Sequence, residues 1–106
     1  MTRKIEKAMN SAIAKGIEWK QDNTEVYTHN SVAYVLLYGK KIAEIGDNWI
    51  RLFDGGYQSA TTKGRLNAIL EENGLPGEGV FQKAYEWFFR MSDGTVIPFF
   101  DGMRIN

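Results

Sequence analysis

Four short runs rich in β-branched and aromatic residues constrain the fold of this chain more than any other feature of its sequence. They cover residues 24–28, 32–38, 41–45 and 49–53, and only two or three turn-forming residues separate each run from the next. Connections this short join antiparallel neighbours, whereas parallel strands need a crossover of about a dozen residues or more. The segment therefore predicts a four-stranded antiparallel meander.

A helix is predicted on each side of this meander. Apolar residues recur at spacings of three and four near the N-terminus, which is typical of one helix face ending near Gly16. These residues are Ile5, Ala8, Met9, Ala12, Ile13 and Ile17. The opposite face of this helix, which carries Glu6 among four basic residues, is expected to lie in solvent. A narrower stripe of Leu66, Ile69 and Leu70 indicates a second helix, which Thr61 or Thr62 can cap and which stops at residues 73–74.

The last quarter of the chain is dense in aromatic residues and fits two structures. Phe81, Tyr85 and Phe88 would line one face of a helix, but the hairpin signal at residues 92–94 favours strands. We expect strands over 80–83, 86–91 and 95–99, followed by a short tail from residue 101. The fold class is then α+β in a single domain of residues 1–106: an N-terminal helix, a four-strand meander, a second helix and a C-terminal group of two or three strands. Both helices are expected on one sheet face.

Composition excludes several classes of function. The chain has no Cys, which removes disulfides, cysteine zinc sites and thiol nucleophiles and favours a reducing, cytoplasmic compartment. A lone His29 cannot form a usual structural zinc site, and no apolar run approaches the ~20 residues needed to span a membrane. Equal numbers of basic and acidic residues argue against a protein that coats nucleic acid. We expect no catalytic residue, metal, cofactor or membrane contact.

The segment 55–65 is the best candidate for binding an anion. Two basic residues lie in the first turn of the second predicted helix, where the helix dipole is already positive and disfavours them unless an anion is near. A phosphate or nucleic acid would then contact Thr61, Thr62, Lys63 and Arg65. The competing interpretation is an ordinary capped helix whose Lys63 and Arg65 lie in solvent or pair with Asp54 or Glu86.

Aromatic residues supply a second candidate surface. Three Trp, five Tyr and six Phe are more than a core of this size can fully enclose, so some aromatic area should remain outside. On the strand interpretation, several of them alternate with core positions and face outwards. The candidate interface residues are Trp49, Phe53, Tyr85, Trp87 and Phe89.

The order of these motifs resembles small uncharacterised proteins of tailed phages and marine viral metagenomes. The resemblance rests on the Arg-Lys-Ile-Glu-Lys start, the segment 35–44 and above all the Thr-Thr-Lys-Gly-Arg-Leu-Asn motif at 61–67. It covers most of the chain and implies a viral origin and work inside a bacterial host cell. It implies no activity, cofactor or catalytic residue.

The function expected from these patterns is a non-enzymatic, phage-type interaction protein that acts through a protein partner or as a small homo-oligomer. The alternative is a weak nucleic-acid or phosphate binder that uses the segment 55–65 and the basic N-terminal helix.

Overall fold

The computed structural model describes residues 3–106 and confirms the predicted α+β order. Two helices and nine strands follow one another in this part of the chain. They are α1 (Lys4–Lys15), β1 (Trp19–Gln21), β2 (Thr24–His29), β3 (Val32–Leu37), β4 (Lys40–Ile45), β5 (Ile50–Leu52), α2 (Ala60–Asn73), β6 (Gly79–Lys83), β7 (Glu86–Arg90), β8 (Val96–Pro98) and β9 (Met103–Ile105).

The large sheet contains the predicted meander and one further strand at each edge. Its six strands lie in the order β1-β2-β3-β4-β5-β9, and every neighbouring pair is antiparallel. The meander is β2 to β5. The edge strands β1 and β9 were not predicted, and the latter lies where we expected a tail. Each has only three residues, which is too short for a recognisable alternation pattern.

The strand register divides the large sheet into an inner and an outer face. Val26, Val35, Ala43, Leu52 and Met103 lie side by side across five strands, and each is at most 1% exposed. This row is the centre of the inner face. A β-bulge opposite Val35 and Leu36 leaves Ile42 as an extra residue, so two consecutive residues of β4 are buried on the same side.

Both helices cover the inner face. The first packs against β1 and β2, the second packs against β4, and the two contact each other. Met9, Ala12 and Ile13 of α1 are buried, and so are the predicted Leu66, Ile69 and Leu70 of α2. The second helix also contacts β6 and buries Thr62, Arg65 and Ala68, because it is covered on several sides.

The C-terminal aromatic segment forms strands, as predicted, in a small sheet ordered β6-β7-β8. A two-residue turn joins β6 to β7, and both of its residues, Ala84 and Tyr85, have positive φ values of 52° and 67°. This mirror-image turn matches the twist of a hairpin. The alternation of β7 then turns Trp87 and Phe89 into the core.

A buried ion pair joins the two helices. The Glu6 carboxylate accepts a hydrogen bond of 3.0 Å from the Arg65 guanidinium, and these residues are only 5% and 4% exposed. The sequence patterns placed Glu6 on a solvated helix face and offered Asp54 or Glu86 as partners for Arg65. Both assignments are wrong, because Arg65 points inwards, towards α1.

Neighbouring groups complete the bonding of this ion pair. Arg65 Nε donates to the Thr24 hydroxyl (3.0 Å), and another guanidinium nitrogen donates to the Asn23 side chain (3.3 Å). The second carboxylate oxygen of Glu6 accepts from the Arg3 backbone N–H at the start of α1 (3.0 Å). Buried charges are tolerated when they are paired and fully hydrogen-bonded. The cluster therefore fixes α1, α2 and β2 relative to one another.

Breaking this pair should strongly destabilise the fold. We expect Glu6→Met and Arg65→Met each to lower the free energy of unfolding by about 3 kcal/mol or more, because each leaves a buried charge unpaired. The double variant should lose clearly less than the sum of the single variants. Urea denaturation of the four proteins measures the coupling.

Lys63→Met is the matched control, since it removes a half-buried cation two residues earlier in the same helix. If the loss of unfolding free energy in the double variant equals the sum of the two single losses within about 0.5 kcal/mol, the two charges do not interact.

Candidate functional site

The start of α2 is capped differently from the prediction. Ser59, not Thr61 or Thr62, is the N-cap, and its hydroxyl accepts from the Thr62 backbone N–H (3.0 Å). The Thr62 hydroxyl lies 2.9 Å from that of Ser59, and Thr62 is 4% exposed. Thr62 is therefore part of the cap and is not presented to solvent.

The predicted anion site at residues 55–65 is not assembled around Arg65. All three guanidinium nitrogens of Arg65 donate to protein groups inside the fold. Thr61 and Lys63 are half-buried, so they alone of the four proposed residues keep substantial contact with solvent. The inward direction of Arg65 also removes one of the two positive charges that made the helix start look electrostatically unfavourable.

The last residue of the 61–67 motif has a structural role that sequence patterns missed. The Asn67 side-chain amide donates to the Val80 carbonyl (2.9 Å) and accepts from the Val80 N–H (2.7 Å). Val80 lies in β6, an edge strand of the small sheet. Asn67 thus forms hydrogen bonds with backbone groups of Val80 that would otherwise be unpaired at the edge of the sheet. The motif contributes Arg65 and Asn67 to the fold.

The five predicted interface residues separate into buried and accessible groups. Trp87 and Phe89 are 4% and 0% exposed, so their assignment to a surface is wrong. The indole of Trp87 meets the Phe99 ring edge-on, with centroids 5.3 Å apart. Tyr85 is 94% exposed at the tip of the β6–β7 turn. Trp49 and Phe53 are half-buried and lie on the outer face of the large sheet.

The outer face of the large sheet is the surface that carries Trp49 and Phe53. Its residues alternate along each strand with those of the inner face. The central row of the outer face runs across five strands. The residues of this row are Tyr27, Tyr34, Glu44, Arg51 and Arg104. Both helices pack on the inner face, and Tyr27 and the Arg51 side chain are each 40% exposed.

Aromatic groups are held in place on the outer face by specific contacts. Tyr27 and Tyr34 stack across neighbouring strands, with ring centroids 4.9 Å apart and planes 16° apart. The Lys41 ammonium lies 4.5 Å from the Phe53 ring centroid. The Trp49 indole lies over Gly46, where an added Cβ atom would come within 2.1 Å of Nε1. Glycine at this turn therefore makes room for the indole.

Positive charge is in excess beside Trp49. The guanidinium carbons of Arg51 and Arg104 lie 5.8 Å and 5.3 Å from the centroid of the indole ring. Glu44 lies 4.0 Å from Arg51, but the same carboxylate also pairs with Lys41 at 2.5 Å. The Glu44 carboxylate is thus shared between two cations, Lys41 and Arg51. This arrangement suits the binding of a negatively charged, partly apolar ligand.

The predicted interface did not include Tyr27, Tyr34 or Arg104 of this surface. Tyr27 and Tyr34 could have been found, because they pair directly across the two-residue turn at Asn30 and Ser31. Arg104 could not, because its place beside Arg51 depends on the pairing of β9 with a strand far away in the sequence.

Comparison with known proteins identifies the family of this chain. The family described as Kyanoviridae Gp96 protein matches residues 2–106. The chain belongs to this phage protein family. The match confirms the resemblance to small proteins of tailed phages. Comparisons with curated proteins and with solved structures gave no match. None of the helices in residues 3–106 has the length and apolar character needed to span a membrane.

Replacing Asn67 should open the edge of the small sheet. In Asn67→Ala the N–H and carbonyl of Val80 lose their partner, which should cost about 1–3 kcal/mol and speed hydrogen exchange at the Val80 amide. Asn67→Asp keeps the acceptor for that amide and should retain more protection. Unchanged exchange at Val80 in Asn67→Ala would show that this edge does not depend on Asn67.

Proposed function

We propose that this member of the family is a non-enzymatic interaction protein that binds a protein partner through the outer face of the large sheet. Its place of action is the cytoplasm of the infected bacterial cell. The observation that carries the proposal is the composition of the outer face, where Trp, Tyr, Phe and Arg side chains gather on a surface that neither helix covers. Trp, Tyr and Arg are the residues most enriched at the energetic centres of protein interfaces.

A protein partner fits this surface better than the anion-binding alternative fits the segment 55–65. Two of the four residues proposed for anion binding, Thr62 and Arg65, are buried and hydrogen-bonded within the fold. The chain also has no net charge, which gives no long-range attraction to a nucleic-acid backbone. The outer face instead combines stacked tyrosines, an indole and a few charges, as the centre of a protein interface does.

Site-specific crosslinking in infected cells tests where the partner binds. A photoreactive benzoylphenylalanine in place of Tyr27 should give one discrete heavier protein adduct, because this position lies on the outer face. The same group at Tyr57 or Tyr85 is the matched control, since both tyrosines are more exposed than Tyr27, at 77% and 94%, and lie outside the outer face. Denaturing gel electrophoresis with an antibody to the chain reads out the adducts.

Each alternative has a distinct result. An adduct at twice the mass of 12.1 kDa would indicate a homo-oligomer. Adducts from position 85 but not from position 27 would indicate that the partner binds the small sheet. A nuclease-sensitive adduct would favour nucleic acid. Any of these results would contradict the proposed protein partner on the outer face.

A further inference from the structure

Two arginines of the outer face stand directly opposite each other on neighbouring antiparallel strands. Arg51 of β5 and Arg104 of β9 are register partners, and like charges in such pairs destabilise a sheet. On its other side Arg51 faces Glu44, but Lys41 holds the nearer bond to that carboxylate. The arginine pair is therefore not neutralised by its surroundings.

Hydrogen-bond donors of this pair are also unused. Nε of Arg51 is buried and has no hydrogen-bond partner among the described residues. The Arg104 guanidinium makes no hydrogen bond or ion pair within residues 3–106 and lies against the Trp49 ring. Both guanidinium groups lie against one indole, which restricts their motion before any ligand arrives. The Arg51 side chain is 40% exposed and Arg104 is exposed, so a ligand can reach their outer guanidinium nitrogens, which match the two oxygens of a carboxylate or phosphate.

We propose that Arg51, Arg104 and Trp49 form a carboxylate-recognition site for an acidic segment of the protein partner. The site rests on the proposed function and specifies the chemistry of the ligand. A partner Glu or Asp side chain accepts hydrogen bonds from the two guanidinium groups and relieves their repulsion. Apolar groups beside it pack on the indole and on the Tyr27–Tyr34 stack.

A protein carboxylate explains the surface better than two other occupants. A nucleic-acid strand would place its phosphates beside Glu44, and the rest of the central row, Tyr27 and Tyr34, carries no positive charge. A second copy centred on the same patch would bring one arginine pair against another, which like-charge repulsion opposes. An acidic protein segment places its negative charge only where the positive charge is in excess.

The test uses a fluorescein-labelled peptide of ten alternating Glu and Leu pairs, with labelled single-stranded oligothymidylate of twenty nucleotides as the competing probe. Fluorescence anisotropy at low salt should show saturable binding of the peptide by the full-length chain. Arg51→Gln with Arg104→Gln should weaken this binding about tenfold or more. The double variant Arg51→Lys/Arg104→Lys keeps both positive charges but loses the planar guanidinium groups, which can donate two parallel hydrogen bonds to a carboxylate. It should therefore also bind the peptide less tightly than the unmodified chain.

The control is Lys4→Gln with Lys7→Gln, which removes the same charge from the exposed face of α1 and should change affinity less than twofold. The proposal is overturned if the peptide does not bind, if the control loses as much affinity as the glutamine pair, or if the lysine pair binds as tightly as the unmodified chain. Tighter, arginine-dependent binding of oligothymidylate would overturn it in favour of nucleic acid. A discrete, nuclease-resistant adduct of position 27 with another protein, together with any of these results, would leave the proposed function intact and remove only the carboxylate site.

Discussion

The buried ion pair between Glu6 and Arg65 is the constraint on which the arrangement of this fold depends. A charged pair inside a protein is stable only if every polar atom finds a partner. Here the partners come from three elements, because Thr24 lies on β2 while Glu6 and Arg65 lie on α1 and α2. Both helices are therefore drawn to the same side of the large sheet, and the opposite side is left open.

The arginines of this chain illustrate two opposite uses of one side chain. Arg65 is 4% exposed and its donors are all used within the protein, so it contributes to the fold. Arg51 and Arg104 lie against one indole, a carboxylate lies near Arg51, and some of their donors have no protein acceptor in the described part of the chain. Burial and bonding distinguish these roles, whereas residue type and local charge do not.

Local patterns predicted the elements whose causes are local. The meander follows from short turns between β-rich runs, and α1 is capped at its C-terminal end by Gly16, whose φ of 65° suits glycine. The C-terminal strands follow from turn chemistry, which outweighed a helix-like spacing of aromatics. The outward direction of Trp49 and Phe53 follows from simple alternation with Ile50 and Leu52, which are buried.

Other features depend on contacts between distant parts of the chain, and no local pattern contains them. Glu6 and Arg65 are 59 residues apart, and each looked like a solvated helix charge when its own helix was considered alone. Trp87 and Phe89 were expected outside because the small sheet's orientation towards the core was unknown. Likewise β9 is recognisable only through its pairing with β5, which is what brings Arg104 to the outer face.

Trp49 and Trp87 lie in opposite surroundings: Trp49 is at an accessible, positively charged surface, and Trp87 belongs to the core. Quenching of tryptophan fluorescence by iodide and by caesium tests this assignment most directly, since an anion should concentrate near Arg51 and Arg104 and a cation should avoid them. We expect iodide to quench more strongly than caesium, and we expect Trp49→Phe, but not Trp19→Phe, to remove most of this difference. Equal quenching by the two ions, or an iodide preference that survives in Trp49→Phe, would contradict the assignment.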